Sequence, residues 1–461
     1  MRALPLSQIA AWCEGRHLGA DVSINAVSTD TRTLQPGALF IALRGENFDA
    51  HDMIGEAQSR GAAALLLQRD LESDLPRILC ADTEEALGEF AAGMQKGRSA
   101  VVVGITGSNG KTSVKMLTNG ILARAGRTYM NPGNRNNEIG LPLAVLEAPE
   151  DAQFAIYEMG AGKPGDIAYL ASIAPPQVAL VNNIAPAHLQ RMGSLLGIAE
   201  TKAAIYEALS DDGVAVINAD DAFAPLFADV VGSRRVFRFG LENGAEVHAS
   251  RIRSHAQGSQ FQLHTPAGSA EIRLPLPGTH NVMNALAASA LALAAGAGFD
   301  AVVEGLHNAE PVKGRQIARR MGNGAVLIDD SYNANPGSVA AAIATLARGE
   351  GEAWLVLGDM AELGEGAEQM HADIGAQAKR AGLARLWTVG QLSGDASKAF
   401  GEGGKHFQSQ QALIDTLHDS LRRHSRPEAL SVLVKGSRSS AMDKVVSALL
   451  AQANEDSGHA A

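Results

Sequence analysis

Short apolar runs alternate with helix-like patterns through the central part of the chain. The runs at 100–105, 154–159, 178–181 and 214–217 have the length of strands and contain few polar residues. Apolar strands separated by segments of helical periodicity are typical of a parallel sheet that is covered by helices on both faces. We therefore predict a doubly wound α/β domain with a mostly parallel sheet, and a helix over 198–209.

The N-terminal region shows the same alternation in a shorter form. The runs 39–43, 62–67 and 77–80 are predicted strands, and 83–97 has the apolar spacing of a helix. This pattern predicts a smaller α/β unit that ends where the helix leads into the central domain.

The C-terminal region is predicted to be Rossmann-like. Four runs have the length and composition of buried parallel strands: 325–328, 354–357, 386–389 and 430–434. Since 461 residues are too many for one typical core, we predict three domains, at 1–82, 83–310 and 311–461.

Residues 234–276 have a different pattern of apolar and polar residues from the rest of the central region. Between 234 and 276 apolar and polar residues alternate in three short segments, at 235–239, 259–264 and 271–274. Strict alternation is typical of strands with one exposed face, so these segments are predicted to be antiparallel. An alanine-rich helix after His280 is expected to close the central domain.

A glycine-rich loop follows the first central strand. Residues 106–112 read Thr-Gly-Ser-Asn-Gly-Lys-Thr, and a helix is predicted to begin near Thr112. The full P-loop pattern has a glycine where this chain has Ile105, but strand, loop and helix are in the required order. Backbone N–H groups of the loop and the positive end of the helix can bind phosphate, Lys111 can reach the β- and γ-phosphates, and the Thr112 hydroxyl can bind Mg²⁺. The predicted nucleotide-binding residues here are Gly107, Ser108, Asn109, Gly110, Lys111, Thr112 and Ser113.

Polar residues follow the predicted C-terminal strands. Asp330, Asp359, Gly390 and Lys435 each lie just beyond the carboxyl end of a strand. Ligands of open α/β sheets bind at that edge, so these positions are candidate site residues.

Composition and charge narrow the class of protein. The net charge of −11 argues against a general nucleic-acid binder, because no long basic run offsets it. The two cysteines form no metal or redox spacing, and the N-terminus lacks the apolar core of a signal peptide. The apolar stretch 285–298 is too short to span a bilayer. A cytoplasmic monomer without stable membrane insertion is expected.

The loop variant resembles that of the Mur ligase family, the ATP-dependent amide-bond ligases of bacterial cell-wall precursor synthesis. Five further segments also resemble family motifs: Asn-Arg-Asn-Asn-Glu-Ile-Gly-Leu-Pro at 134–142, Val-Asn-Asn-Ile-Ala-Pro-Ala-His-Leu at 181–189, Asp-Ser-Tyr-Asn-Ala-Asn-Pro at 330–336, Gly-Asp-Met-Ala-Glu-Leu-Gly at 358–364 and Val-Lys-Gly-Ser-Arg-Ser at 434–439. Together they extend over nearly the whole chain and are most similar to the member that adds a dipeptide.

The resemblance implies a reaction and its substrates. A carboxylate of UDP-N-acetylmuramoyl-tripeptide would attack the γ-phosphate of ATP, and the amine of D-alanyl-D-alanine would then capture the acyl phosphate. An Asp-Asn-Pro-Arg segment of the relatives that add diaminopimelate or lysine is not found here, which favours the dipeptide-adding activity.

The resemblance also implies the catalytic residues Lys111, Glu158, His188, Lys202 and Arg315. Of these, Glu158, His188 and Lys202 would hold Mg²⁺ together with Thr112, and Lys202 would be carbamylated. From the residues alone, Glu158 could equally be a solvated carboxylate, and a single histidine such as His188 is more often structural. Helical periodicity places Lys202 on the polar side of its helix, where an exposed lysine is the simpler interpretation.

Further residues are implied at the two substrates. At ATP the resemblance implies Asn281, Asn284, Arg315, Asp330, Asn333 and Asn335; at the UDP-linked peptide it implies Ser28, Asp30, Arg32, Arg44, Gly45, Asn134 and Asn137. Capping of a helix is an alternative for Asn281, and ordinary turn chemistry is one for the N-terminal residues.

Three other functions remain open at this point. Folylpolyglutamate synthases share the loop variant and similar acyl-phosphate chemistry, but have no expected counterpart of the N-terminal unit or of the segment at 330–336. A phosphoryl-transfer kinase would give a phosphorylated product rather than an amide. A nucleotide-responsive scaffold protein would not require the metal-binding residues.

Overall fold

The computed structural model describes residues 1–186, 189–242, 244–255 and 257–458. Its larger sheets follow one another along the chain, and helices cover their faces. Among the described residues, no helix combines the length and the apolar character needed to cross a bilayer.

The N-terminal sheet is short and mostly parallel. The elements of this region are β1 (Leu4–Pro5), α1 (Leu6–Trp12), β2 (Arg16–Leu18), β3 (Ser23–Ile24), β4 (Val27–Ser28), β5 (Leu39–Ile41), α2 (Ile54–Ser59), β6 (Ala64–Leu67), β7 (Arg77–Leu79) and α3 (Thr83–Lys96). The strand order is β2-β7-β6-β5-β4, in which only β2 runs antiparallel to its neighbour, while β1 and β3 form a separate pair. The strands predicted at 39–43, 62–67 and 77–80 are therefore present as β5, β6 and β7.

The central sheet continues the predicted parallel pattern. Its elements are β8 (Val101–Thr106), α4 (Lys111–Leu122), β9 (Thr128–Met130), α5 (Gly140–Glu147), β10 (Phe154–Glu158), α6 (Asp166–Ile173), β11 (Val178–Val181), α7 (Leu189–Met192), α8 (Leu195–Glu207), β12 (Val214–Asn218), α9 (Ala224–Val231), β13 (Arg235–Gly240), β14 (Val247–His255), β15 (Gly258–Thr265), β16 (Gly268–Leu274), α10 (Thr279–Ala294) and α11 (Phe299–His307). The order is β16-β15-β14-β13-β12-β11-β8-β10-β9, and the P-loop strand β8 lies between β10 and β11.

The predicted direction of one strand was wrong. Strand β13 pairs in parallel with both β12 and β14, whereas β15 and β16 are antiparallel as predicted; β14, which was not predicted, pairs antiparallel with β15. Alternation of apolar and polar residues indicates that one face of a strand is exposed to solvent, but it does not indicate the direction of the strand. β13 lies where the buried centre of the sheet gives way to its half-exposed edge.

Helix α3 joins the N-terminal and central regions. Asp82 caps it, because its Oδ1 accepts hydrogen bonds from the N–H groups of Glu84 and Glu85 at 2.7 and 3.1 Å. The helix contacts α1 on one side and α5 and α6 on the other. Its buried side chains, which include Phe90 and Met94, belong to a core shared by both regions.

The C-terminal sheet has the predicted parallel strands and one antiparallel edge. Its elements are β17 (Ile317–Arg320), β18 (Val326–Asp330), α12 (Pro336–Ala347), β19 (Glu352–Gly358), α13 (Ala367–Arg380), β20 (Arg385–Val389), α14 (Gly394–Phe400), β21 (Gly404–Phe407), α15 (Gln410–Arg422), β22 (Leu430–Lys435) and α16 (Asp443–Gly458). The order is β17-β18-β22-β19-β20-β21, with β17 antiparallel to β18. The carboxyl ends of β18 and β22 lie side by side and carry Asp330 and Lys435.

Trp354 in β19 anchors one side of this domain. It is 1% exposed, its ring lies 5.5 Å from that of Trp387, and the guanidinium of Arg385 lies 4.3 Å above it. We expect Trp354→Ala to lower the free energy of unfolding by about 3–5 kcal/mol, because the cavity cannot collapse fully. Urea unfolding followed by circular dichroism tests this, with Glu350→Ala in the preceding turn as the control. A loss below about 1 kcal/mol would contradict this account of the core.

Candidate active site

The glycine-rich loop connects β8 to α4 as predicted, and α4 begins at Lys111, one residue earlier than expected. Gly110 has φ of 78°, a left-handed conformation that favours glycine, and its carbonyl accepts the first hydrogen bond of the helix from Val114. The N–H groups of the first helical turn have no carbonyl partner within the helix. They are therefore available to an anion at this end of α4.

The segment after β11 holds the loop in place. The N–H groups of Ser108 and Asn109 donate to the carbonyl and the side-chain oxygen of Asn183, each at 2.9 Å. The Ser108 hydroxyl donates to the carbonyl of Ala185 and accepts from the N–H of the same residue. The Lys111 ammonium donates to the carbonyls of Gly107 and Ser108 at 2.8 and 3.4 Å, so its side chain folds over the loop.

Glu158, at the end of β10, faces the start of α4. It is 2% exposed; its Oε2 accepts a hydrogen bond from the Thr112 hydroxyl at 2.9 Å and forms an ion pair with the Lys115 ammonium at 3.2 Å. Asn136 donates to the other carboxylate oxygen at 2.8 Å. The solvated-carboxylate interpretation of Glu158 is thereby excluded.

The charges around Glu158 keep it ionised. Burial by itself would raise the pKa of this carboxyl group. The ammonium groups of Lys115 and Lys111 more than offset burial, and the Arg315 guanidinium adds to their effect. The net result is a pKa below the usual value for a glutamate.

Two side chains of the C-terminal domain, Arg315 and Asn335, contact the P-loop and the start of α4. Arg315 donates to the Thr112 hydroxyl at 3.0 Å, and its guanidinium lies 4.4 Å from the centre of the Tyr332 ring. Asn335 caps α12 through its side-chain oxygen and donates from Nδ2 to the side-chain oxygen of Asn109 at 2.8 Å. These contacts join residues that are more than 200 positions apart in the chain.

A buried ion pair lies behind Asn335. The Lys435 ammonium donates to Asp330 Oδ2 at 2.7 Å and to the carbonyl of Asn333 at 2.9 Å. Asp330 and Lys435 are 7% and 3% exposed. Asp359, which also follows a strand, instead accepts hydrogen bonds from the N–H groups of residues 391–393 and stabilises a turn.

A row of asparagines connects α10 with the P-loop. Asn281 donates to the carbonyl of Pro277 at 2.7 Å, and Asn284 donates to the side-chain oxygen of Asn281 at 3.3 Å. Asn182 donates to the side chain of Asn284 and to the carbonyl of Asn109. The helix-capping alternative for Asn281 does not apply, because Gly278 occupies the N-cap position and no side chain caps the helix.

These groups surround one cavity of about 640 Å³, a volume within the range of small-molecule sites. Its walls come from the P-loop, the segment around Asn136, the start of α10 and the C-terminal domain. The predicted residues on its surface are Ser108, Asn109, Gly110, Lys111, Ser113, Asn137, Glu158, Asn281, Asn284, Arg315, Asp330, Asn333 and Asn335.

Comparison with known proteins agrees with this arrangement. Family models match residues 23–95 (Mur ligase family, catalytic domain), 105–292 (Mur ligase middle domain) and 314–438 (Mur ligase, glutamate ligase domain). The UDP-N-acetylmuramoyl-tripeptide–D-alanyl-D-alanine ligase of Escherichia coli strain K12 is 45% identical over 450 residues, which cover 97% of this chain and 99% of that protein. The chain belongs to the Mur ligase family.

Two solved structures of MurF proteins are similar over nearly the whole length. The crystal structure of MurF from Acinetobacter baumannii has a TM-score of 0.93 and 34% identity, and covers 98% of this chain and 99% of that one. MurF ligase from Thermotoga maritima in complex with ADP has a TM-score of 0.84 and 27% identity, and covers 94% and 98%. The predicted three-domain α/β fold of a Mur ligase is confirmed.

The residues predicted to hold the UDP end lie away from the cavity of this Mur ligase. Ser28 is the last residue of β4 and Arg44 follows the neighbouring parallel strand β5, so the two segments share one edge of the N-terminal sheet. Asp30 accepts hydrogen bonds from the Arg32 side chain at 2.6 to 3.1 Å, and the N–H of Gly45 donates to the carbonyl of Phe48 at 2.8 Å. Their role in binding stays a prediction.

Five further predicted site residues remain to be located: Asn134, Asn137, Gly107, Thr112 and His188. Asn134 is exposed, whereas the side chain of Asn137 accepts from the N–H of Gly140 at the start of α5. The structure places Gly107 and Thr112 in the loop and helix start, although neither is on the cavity wall. His188 lies outside the described residues.

The position predicted for Lys202 on the polar side of its helix was wrong. Helix α8 begins at Leu195 after the Ser194 cap, three residues before the predicted start, and Lys202 is 2% exposed. No carboxylate of the described residues lies within ion-pair distance of its ammonium. Burial lowers the pKa of Lys202, nearby Lys111 also lowers it, and Asp166 opposes this change, with a net pKa of about 7.

This lowered pKa predicts how stability depends on pH. Between about pH 7 and pH 10 the unfolded chain holds a proton on Lys202 that the folded chain has lost, so the free energy of unfolding should rise with pH. Lys202→Met should remove that rise and stabilise the protein at pH 7 and below, by an amount on the order of a few kcal/mol. Urea unfolding in CO₂-free buffer, which prevents carbamylation, measures both effects. A variant with the wild-type pH profile would contradict the prediction.

Sequence reasoning missed several groups at the site. Lys115 and Asn131 are fully buried beside Glu158, and Asn182 and Asn183 hold the P-loop. The spacing of Lys111 and Lys115, one helical turn apart, was an available signal, since it places both on one side of α4.

Proposed function

We propose that this chain is an ATP-dependent ligase that joins D-alanyl-D-alanine to UDP-N-acetylmuramoyl-tripeptide in peptidoglycan precursor synthesis. The observation that carries the proposal is the convergence of Lys111, Glu158 and Arg315 on one cavity, in a chain 45% identical over nearly its whole length to a ligase of that name. The relative from Thermotoga maritima was solved with ADP, which supports ATP as the nucleotide.

The first chemical step forms an acyl phosphate. A carboxylate oxygen of the peptide forms a bond to the γ-phosphorus of ATP, and the bond from that phosphorus to the bridging oxygen of ADP breaks. Negative charge gathers on the phosphate oxygens, so the step needs fixed cations and N–H donors. The Lys111 ammonium and the first turn of α4 supply them from one side, and Arg315 supplies a second cation from the C-terminal domain.

The second step makes the amide. The amine nitrogen of the dipeptide forms a bond to the acyl carbon, the bond from that carbon to the phosphate oxygen breaks, and the amine loses a proton. Arg315 and the first turn of α4 remain beside the leaving phosphate. The side chains of Asn335 and Arg315 connect the C-terminal domain to the P-loop and the start of α4. We propose that the two substrates meet at this junction and that its closure excludes water, which would hydrolyse the acyl phosphate.

The residues at the cavity fit Mg²⁺. The Thr112 hydroxyl and the Glu158 carboxylate are oxygen donors 2.9 Å apart, and Mg²⁺ prefers oxygen ligands and keeps several waters or phosphate oxygens. No cluster of three or more His, Cys, Asp or Glu side chains suited to a metal occurs in the described part of the chain. When bound, Mg²⁺ would neutralise charge on the phosphates. We propose Thr112 and Glu158 as its ligands, with His188 and carbamylated Lys202 as further ones.

The N-terminal edge formed by Ser28, Asp30, Arg32, Arg44 and Gly45 is proposed to bind the UDP end of the substrate. Asn134 and Asn137 are proposed to contact its peptide, and Asn281, Asn284, Asp330, Asn333 and Asn335 to contact ATP. These assignments rest on the family motifs and on the positions described above.

Phosphate release from ATP and Mg²⁺ tests the function. UDP-N-acetylmuramoyl-tripeptide and D-alanyl-D-alanine are supplied together and then each is omitted, with the product identified by mass spectrometry. We expect release only when both are present and a product heavier by the dipeptide. A phosphorylated peptide as final product would indicate a kinase, and release indifferent to both substrates would overturn the ligase proposal.

A further inference from the structure

Lys115 is a lysine with no contact to solvent on the second turn of α4. It is 1% exposed, and its ammonium donates to the carbonyls of Asn131 and Gly133, each at 3.0 Å. Its third contact is the Glu158 carboxylate at 3.2 Å. The ammonium thus donates two hydrogen bonds to the backbone of residues 131–133 and forms an ion pair with the carboxylate at the end of β10.

The segment that Lys115 holds is part of the cavity wall. Asn131 is fully buried, donates to the carbonyl of Glu158 at 3.0 Å and accepts from the N–H of the same residue at 2.9 Å. Five residues later, Asn136 donates to the Glu158 carboxylate, and its carbonyl accepts from the N–H of Gly160 at 2.7 Å. Residues 131–137 therefore form a bracket, fastened to Glu158 at both ends and to α4 by Lys115.

Stability alone does not explain a lysine at this position. Desolvation of an ammonium costs several kcal/mol, and an apolar side chain of similar volume in a buried helix is often as stable or more so. Other buried residues of α4, such as Val114, Leu117 and Ile121, are apolar. The ammonium instead connects α4 to the backbone of Asn131 and Gly133 and to the Glu158 carboxylate, which an apolar side chain cannot do.

We propose that Lys115 is a positioning residue that fixes the bracket 131–137 relative to Glu158, and thereby holds the peptide carboxylate of the substrate at the γ-phosphate. The inference rests on the proposed function for its substrate. Lys115 is not on the cavity wall, and it acts through Glu158 and the backbone of the bracket. Its loss should lower the rate and weaken binding of the UDP-linked peptide much more than it weakens binding of the dipeptide, whose proposed site is on the C-terminal domain.

Lys115→Met tests the proposal, because it keeps an unbranched side chain of similar size and removes both hydrogen bonds and the ion pair. Hydrogen exchange in the free enzyme should become at least about tenfold faster at residues 131–137 and stay unchanged in the C-terminal sheet. In steady-state assays we expect kcat to fall and KM for UDP-N-acetylmuramoyl-tripeptide to rise, each about 10-fold or more, with KM for D-alanyl-D-alanine unchanged within about twofold.

The matched control is Leu122→Ala, at the end of the same helix in the core away from the cavity. It should lower thermal stability and leave both KM values and the exchange of the bracket unaltered. Lys115→Arg is the second variant; it keeps the charge but cannot place three donors at the same oxygens, so it should show the same pattern in weaker form.

The outcomes separate the two proposals. The positioning role would be overturned if either Lys115 variant showed wild-type hydrogen exchange in the bracket together with a wild-type KM for the tripeptide substrate. Failure of both variants to fold would assign Lys115 to stability and would overturn it as well. If the wild-type enzyme did not use the tripeptide substrate, the proposed function would fail, while hydrogen exchange in the free enzyme would still decide the role of Lys115.

Discussion

Lys111→Ala is expected to reduce kcat by about 10³-fold or more, because the ammonium that stabilises charge on the transferred phosphate is lost. In the structure this side chain folds over its own loop and donates to the carbonyls of Gly107 and Ser108, so it can turn toward a phosphate by exchanging one set of acceptors for another. Burial lowers the pKa of Lys111, and Glu158 counteracts this change. The phosphate-release assay at saturating substrates measures the effect.

The control for this variant is Lys96→Ala, an exposed lysine at the end of α3. It changes the net charge by the same amount and should keep the wild-type rate. Thermal unfolding should show that Lys111→Ala is folded, since it removes only hydrogen bonds to a loop. An unaffected rate in Lys111→Ala would show that the glycine-rich loop is not the phosphate site.

Glu158→Gln is expected to reduce kcat by about 10²–10³-fold and to raise the Mg²⁺ concentration needed for half-maximal rate. The amide keeps the shape of the side chain but removes the charge that faces Lys115, Lys111 and Arg315. It also replaces an oxygen that Mg²⁺ can bind with a nitrogen donor. Steady-state rates over a titration of Mg²⁺ at fixed ATP measure both effects.

Glu207→Gln, on the exposed end of α8, is the matched control and should behave as wild type. Since Glu158→Gln leaves the Lys115 ammonium without its counter-charge, its free energy of unfolding should also fall. Wild-type kcat together with an unchanged Mg²⁺ dependence would remove Glu158 from the metal site and leave it a structural role only.

Local pattern was sufficient for much of the fold. The strands β5, β8, β10, β11 and β12 were predictable because strands buried on both faces must be apolar along their whole length. The P-loop was predictable because the loop and the start of the helix are contiguous, and Gly110 is needed where φ is positive. The direction of β13 was not predictable from the local pattern, because strand direction is set by the connection and by the neighbouring strands.

The site could be predicted only in part, and the reason differs between residues. Asp330 was a candidate because it follows a predicted strand, and Arg315 was implied by the resemblance to a known family, although no local property of the chain links either residue to Lys111. The contact between Asn335 and Asn109 joins positions 226 residues apart, and only the docking of the C-terminal domain creates it.

What the sequence determined by itself is therefore the set of strands, the phosphate loop and the family. What only the tertiary structure decided is the environment of charged side chains. Lys202 was expected on the polar side of its helix and Lys115 was not singled out, yet both side chains are buried. Helical periodicity distinguishes polar from apolar faces, but a charge in the interior depends on partners from other elements, such as Glu158 on β10, which only folding brings within a few ångströms.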